Sequence, residues 1–267
     1  LKPDLPLQKI KLYILSFNMP DNKSTIALIT GGNQGIGRAV ATSLAKDHGC
    51  HVIIGSRKLA AGEAVAVELQ AAGHAASAVQ LDVNSDSSIA LAVSTITEKF
   101  GQLDVLVNNA GIILDKASFV EVPDLSTREL FEKTFQTNVF GAACLTEALL
   151  PLLRKSSSPR VVFVSSIMGS LQMSTNPSVP WYQRDYKAYD ASKAAANILA
   201  VNYARILADV GGKVNAACPG LVSTSMTGHN PMGTSTEVGA QRIVELATLE
   251  SDGPTATFSN RDGPLPW

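Results

Sequence analysis

Short apolar runs alternate with amphipathic stretches from residue 25 onward. The runs Thr25–Thr30, His51–Ser56, Ala75–Leu81, Leu103–Asn108, Arg160–Ser166, Lys213–Ala217 and Thr255–Ser259 predict strands. Several are apolar at nearly every position, as Val161-Val162-Phe163-Val164 shows, which is how strands covered on both faces read. Helical periodicity fills the intervals, roughly 36–48, 60–72, 86–100, 126–155, 187–209 and 236–249. Repeated strand-helix-strand units imply right-handed crossovers and an α/β fold: a doubly wound, mostly parallel seven-stranded sheet with helices on both faces. Pro and Gly gather in 176–180, 219–233 and 253–266, which are expected to be loops and a tail at the rim.

Composition narrows the function classes. The 267 residues suit one domain, expected over 24–267, with residues 1–23 an N-terminal extension outside the fold. Lys plus Arg number 22 against 23 Asp plus Glu, so no basic face for a nucleic-acid backbone is expected. No apolar run is long enough for a membrane span. Cys50, Cys144 and Cys218 are scattered and odd in number, which favours a reducing, cytoplasmic setting over a disulfide framework. His48, His51, His74 and His229 are scattered too, and no Cys-x-x-Cys occurs, so no metal site is expected.

In a doubly wound sheet, ligands sit beyond the carboxyl ends of the strands. After the first strand comes Thr30-Gly31-Gly32-Asn33-Gln34-Gly35-Ile36-Gly37, running directly into a helix. Glycines there let the backbone approach a pyrophosphate, and the helix N-terminus offers free N–H groups. The second strand ends Ser56-Arg57-Lys58 with no carboxylate before Glu63, which suits a 2′-phosphate and hence NADP(H) rather than NAD(H). Asp82-Val83 follows the third strand and Asn108-Asn109-Ala110-Gly111 the fourth. Asp82 is placed to accept from an adenine amino group and Ala110 and Gly111 to leave room for a ribose, or these residues serve turn and cap chemistry.

At the other end of the sequence, Tyr189 and Lys193 lie one helical turn apart. A neighbouring ammonium favours phenolate, so the tyrosine is expected to be shifted down from about 10. Both belong to the stripe Tyr189, Lys193, Ala196, Ala200, Tyr203, Leu207, which brings the ammonium onto a mostly inward face. Asn138 stands in a similar stripe, Phe131, Phe135, Asn138, Ala142, Leu145, Leu149, where a buried amide must find partners. Ser166, just past the central strand, is better suited to donating a hydrogen bond than to nucleophilic attack, because no Gly-x-Ser-x-Gly surrounds it.

Together these residues resemble the short-chain dehydrogenase/reductase family over about residues 24 to 260: Thr-Gly-x-x-x-Gly-x-Gly at 30–37, Asn-Asn-Ala-Gly at 108–111, Asn138, Ser166, Tyr189-x-x-x-Lys193 and Pro219-Gly220-x-x-x-Thr224. The resemblance implies a Rossmann domain and a nicotinamide cofactor. It implies Tyr189 as general acid/base, Lys193 as ribose ligand and tuner of the tyrosine, Ser166 polarising a carbonyl and Asn138 holding a water in a proton relay. Pro219, Gly220, Val222 and Thr224 would line the nicotinamide. Ser166 and Tyr189 stand farther apart than is usual in the family, with the extra residues within Leu171–Ala188, which resembles the carbonyl-reductase-like branch. Relatives there carry a longer insertion and are often monomeric; the shorter one here leaves monomer or homo-oligomer open. Met173, Trp181, Tyr182, Met226 and Met232 in the loops suit a bulky apolar carbonyl compound, or equally pack those loops down. The expected activity is NADPH-dependent reduction of a ketone or aldehyde. The alternatives are an NAD-dependent alcohol dehydrogenase, with Arg57 a bystander, and a silent nucleotide-binding scaffold.

Overall fold

The computed structural model describes residues 24–116 and 119–267; the expected N-terminal extension, residues 1–23, lies outside the described residues. Neighbouring side chains on a strand point to opposite faces of a sheet, so a strand apolar throughout needs cover on both. β1 (Ile26–Thr30) shows this directly. Leu28 packs with Ile53, Leu106 and Phe163 on one face, while Ala27 and Ile29 pack with Ile54, Val107 and Val162 on the other.

The remaining strands are β2 (His51–Ser56), β3 (Ala76–Gln80), β4 (Val105–Asn108), β5 (Arg160–Val164), β6 (Lys213–Ala217), β7 (Phe258–Asn260) and β8 (Gly263–Pro264). They form one sheet in the order β3-β2-β1-β4-β5-β6-β7-β8, parallel except for β8, which adds a short antiparallel edge to the expected seven strands. The helices are α1 (Gly35–His48), α2 (Leu59–Ala71), α3 (Asp86–Phe100), α4 (Thr127–Phe135), α5 (Ala142–Leu153), α6 (Leu171–Ser174), α7 (Lys187–Ile206) and α8 (Thr236–Ala247). α1, α2 and α8 cover one face through Val40, Leu44, Val65, Leu69 and Ile243. α3, α5 and α7 cover the other through Ile96, Leu145, Leu149, Ala200 and Tyr203. The strand order reverses between β1 and β4, and a crevice opens there at the strands' carboxyl ends.

The single helix expected over 126–155 is instead α4, a π-helical segment Gln136–Gly141, and α5. The apolar stripe runs through all three, so periodicity alone does not reveal the wider turn. At its end the chain packs closely, since a Cβ on Gly141 would stand 2.7 Å from the Val83 carbonyl oxygen. The π segment lies against the loop after β3 and carries Asn138.

Candidate active site

β1 ends at Thr30, and the turn Gly31–Gln34 swings the chain into α1. Gly31 and Gly35 have φ of 63° and 53°, which favour glycine. Gly37 must be small for another reason, since a Cβ there would lie 2.4 Å from the Gly31 carbonyl oxygen and 2.5 Å from Asn109 Nδ2. Gln34 caps α1 without a side-chain hydrogen bond, and no acidic residue occupies the first turn. Ser85, Ser126 and Ser235, by contrast, cap α3, α4 and α8. The α1 terminus therefore presents uncapped N–H groups and the positive end of the macrodipole to the crevice, which fits a pyrophosphate. Gly31, Gln34, Gly35, Ile36 and Gly37 line that crevice; Asn33 lies in the turn without lining it.

The loops after β1 and β4 are tied together by Thr30 and Asn109. Thr30 Oγ1 accepts from the Asn109 and Ala110 N–H groups at 2.9 and 2.8 Å, and Asn109 Nδ2 donates to the Thr30 carbonyl at 2.8 Å. Asn109 is thus a brace as well as a wall residue, and it positions Ala110 and Gly111 in the same crevice.

Ser56, Arg57, Lys58, Asp82 and Val83 stand at the ends of β2 and β3, to the side of the crevice away from Tyr189. Arg57 and Lys58 are exposed, and among the described residues neither has an ion-pair partner. Ser56 is buried and its hydroxyl donates to the Lys58 carbonyl at 2.9 Å, so it retains only lone pairs for a ligand. Asp82 Oδ1 accepts from the Asn84 N–H at 3.0 Å, a turn-forming bond that leaves Oδ2 for another donor.

Past β5, Ser166 caps the short turn Ile167–Gly169, its Oγ accepting from the Met168 N–H at 3.2 Å. Its hydroxyl is near enough to the Tyr189 phenol to favour the phenolate, although Ser165 rather than Ser166 lines the crevice. Lys193 is buried, donates to the Val164 carbonyl at 2.8 Å and sits 5.5 Å from the centroid of the Tyr189 ring. Burial pushes its ammonium down to about 8. The phenol is pushed up rather than down, which corrects the expectation of a favoured phenolate. Burial is the main cause, the nearby Cys218, Asp190 and Asp115 add to it, and Lys193 faces the ring instead of pairing with the oxygen.

Asn138 is buried as its stripe implies, and both ends of its amide are engaged. Its Nδ2 donates to the Ile112 carbonyl at 2.9 Å and to Ser192 Oγ at 3.0 Å, and its Oδ1 accepts from the Ile112 N–H at 2.8 Å. The side chain clamps the loop after β4 onto α7, leaving one Oδ1 lone pair for a water. Pro219, Gly220, Val222 and Thr224 descend from β6 and close the crevice opposite Gly35. One crevice thus joins the glycine turn to Tyr189 and Lys193. A model of the short chain dehydrogenase family matches residues 25–233.

The chain belongs to the short-chain dehydrogenase/reductase family. This short-chain dehydrogenase is 39% identical over 254 residues to the short-chain dehydrogenase/reductase ATR10 of Stachybotrys chlorohalonatus, covering 89% of this chain and 88% of that one. It is 30% identical over 304 residues to a (+)-neomenthol dehydrogenase of Capsicum annuum, covering 88% and 95%. Among solved structures, salutaridine reductase from Papaver somniferum superposes with a TM-score of 0.72 at 29% identity, covering 88% and 99%. The family is one of oxidoreductases that bind a nicotinamide dinucleotide.

Of the loop residues expected to meet substrate, Met226 lines the crevice of this short-chain dehydrogenase, whereas Met232, 86% exposed, and Tyr182, also exposed, do not. Sequence reasoning missed Ser192, which donates to the Tyr189 carbonyl at 2.7 Å, and the buried Asp115. Ser192 lies within the Tyr-x-x-x-Lys interval and was available as a signal. Asp115 had only its charge, after the apolar Ile112-Ile113-Leu114. No group of metal-ligating side chains occurs among the described residues.

Proposed function

We propose that this chain is an NADPH-dependent reductase of ketones or aldehydes in which Tyr189 is the general acid. The observation that carries this reading is the nearness of Ser166 to Tyr189, whose side chain lines the crevice that begins at the uncapped α1 terminus. Two hydroxyls so placed reach a single carbonyl oxygen. When bound, the reduced dinucleotide would supply a hydride to the carbonyl carbon. The glycine turn and the first N–H groups of α1 would hold its pyrophosphate. Lys193 would donate to its ribose, and Pro219, Gly220, Val222 and Thr224 would orient its nicotinamide.

Ser166 donates a hydrogen bond as charge develops on the carbonyl oxygen, and Tyr189 delivers its phenolic proton to that oxygen. A phenol pushed above its ordinary value stays protonated at neutral pH, which suits it to the reducing direction. After transfer, the adjacent ammonium of Lys193 stabilises the phenolate. Arg57 and Lys58, free of ion pairs among the described residues, favour a 2′-phosphate and therefore NADPH. The likenesses to a (+)-neomenthol dehydrogenase and to salutaridine reductase support dehydrogenase and reductase chemistry. The test is a panel of aliphatic, aryl and cyclic ketones and aldehydes, read through nicotinamide absorbance with NADPH and NADH in parallel. Turnover with NADPH exceeding that with NADH is expected, and no turnover with either cofactor would refute the reading.

A further inference from the structure

α7 carries Tyr189 and Lys193, yet its N-cap residue does not cap it. Tyr186 stands at the N-cap and contributes no side-chain cap hydrogen bond. The Lys187 N–H donates to the adjacent Asp185 Oδ1 at 3.3 Å, but the next two first-turn amides are satisfied from far away in the chain. Asp115, only 1% exposed, accepts from the Ala188 N–H through Oδ1 at 3.0 Å and from the Tyr189 N–H through Oδ2 at 3.1 Å. A carboxylate with an oxygen on each of two successive amides, at the positive end of a helix, is a strong and directional anchor.

The other main-chain polar group of Tyr189 is also held by a side chain. Ser192 Oγ donates to its carbonyl at 2.7 Å and in turn accepts from Asn138 Nδ2 at 3.0 Å. Asn138 grips Ile112, three residues before Asp115, at both N–H and carbonyl. Gly111, on the same loop, lines the crevice, and a Cβ there would sit tightly against Asn138 Oδ1 at 3.3 Å and in ordinary contact with Lys193 Nζ at 3.6 Å. The loop after β4 thus touches the cofactor crevice at one end and the peptide N–H of Tyr189 at the other.

The geometry points to Asp115 as a positioning residue: its carboxylate fixes the start of α7, and so sets where the Tyr189 phenol stands relative to a cofactor seated against Ala110 and Gly111. The inference rests on the reductase reading for its kinetic consequence, but the cap itself does not. Other titratable groups facing this carboxylate are Asp190 and the Tyr189 phenol in α7 and the Lys187 ammonium, which pairs with Asp185. They modulate its field without replacing its hydrogen bonds.

The experiment compares full-length wild type, Asp115→Ala and Asp115→Asn, the second retaining one acceptor oxygen in case the first folds poorly. Misplacing a catalytic group by about 1 Å costs on the order of 100-fold in rate, so kcat is expected to fall about 100-fold in Asp115→Ala and about tenfold in Asp115→Asn. NADPH affinity should stay within about threefold of wild type, since no phosphate contact is touched. On a Tyr189→Phe background, Asp115→Ala should cost less than about threefold more, because a residue acting through Tyr189 has little left to act on. Amide hydrogen exchange gives a reading independent of turnover: the peptide holding Ala188 and Tyr189 should exchange faster in both variants. Unchanged exchange there, or full additivity with Tyr189→Phe, overturns the assignment. A wild type inert on the carbonyl panel sinks the reductase reading instead, and the exchange result alone then decides whether Asp115 anchors α7.

Discussion

Replacing Gly37 by Ala tests whether the turn after β1 is built around a pyrophosphate. The added methyl carbon would stand 2.4 Å from the Gly31 carbonyl oxygen and 2.5 Å from Asn109 Nδ2, against 3.4 Å or more in ordinary contact. Neither neighbour is a free end. Gly31 is backbone at a φ of 63°, and the Asn109 amide is tied to the Thr30 carbonyl at 2.8 Å. Relief requires the glycine turn to move by about 1 Å, and such overpacking costs about 1–3 kcal/mol, which lowers Tm by about 3–10 °C. The same movement drags the amides that would hold the phosphates. Saturating NADPH at about 100 times Kd stabilises a binding protein by about 2.7 kcal/mol, and a tenfold loss of affinity cuts that gain to about 1.4 kcal/mol. A thermal-shift titration with NADPH reads both effects. Gly49→Ala is the control: its φ is 64° with nothing within 4 Å, so strain of about 1 kcal/mol is expected with the NADPH gain intact. A Gly37→Ala protein that keeps the full wild-type NADPH gain would refute the role given to this turn.

Other substitutions separate the remaining parts of the site. Arg57→Ala combined with Lys58→Ala is expected to weaken NADPH about 10- to 100-fold and leave NADH nearly unchanged, as parallel KM measurements would show. Asn138→Ala leaves the Ile112 N–H and carbonyl without their partner and should cost about 1–3 kcal/mol in denaturant unfolding. Burial, then the charges of Asp115 and Asp185, push the half-buried Asp190 carboxyl up to about 7 from its ordinary 3.8, and its Oδ1 has no hydrogen-bond partner. Between those values the folded chain holds more protons than the unfolded chain, so stability falls as pH rises through the window, with the full penalty above pH 7 and none below 3.8. Three pH units amount to about 4 kcal/mol, which partial exposure screens to about 1–2 kcal/mol. Asp190→Asn should therefore raise Tm at pH 8 and flatten the decline between pH 4 and 7 in a thermal melt series.

The sheet was legible because burial on both faces writes itself as unbroken apolar runs, and Val161 to Val164 read the same way in sequence and structure. Lys193 and Asn138 were legible as polar residues on apolar stripes, and both are buried. What the pattern missed depends on contacts across the chain. Asp115 meets Tyr189 over 74 residues, and no periodicity encodes that. The π segment keeps the helical stripe and changes only the hydrogen-bond spacing. The direction of the Tyr189 shift was misread because the spacing to Lys193 reveals proximity, whereas burial and the side of the ring that the ammonium faces emerge only from packing.

The most direct test of the central claim is the single-turnover rate of Tyr189→Phe with NADPH and a ketone that the wild type reduces. The substitution removes the phenolic proton and little else, so the rate should fall by about 10²- to 10⁴-fold while NADPH binding is retained. A Tyr189→Phe enzyme that reduces the ketone at near wild-type rate would contradict the assignment of Tyr189 as the proton donor.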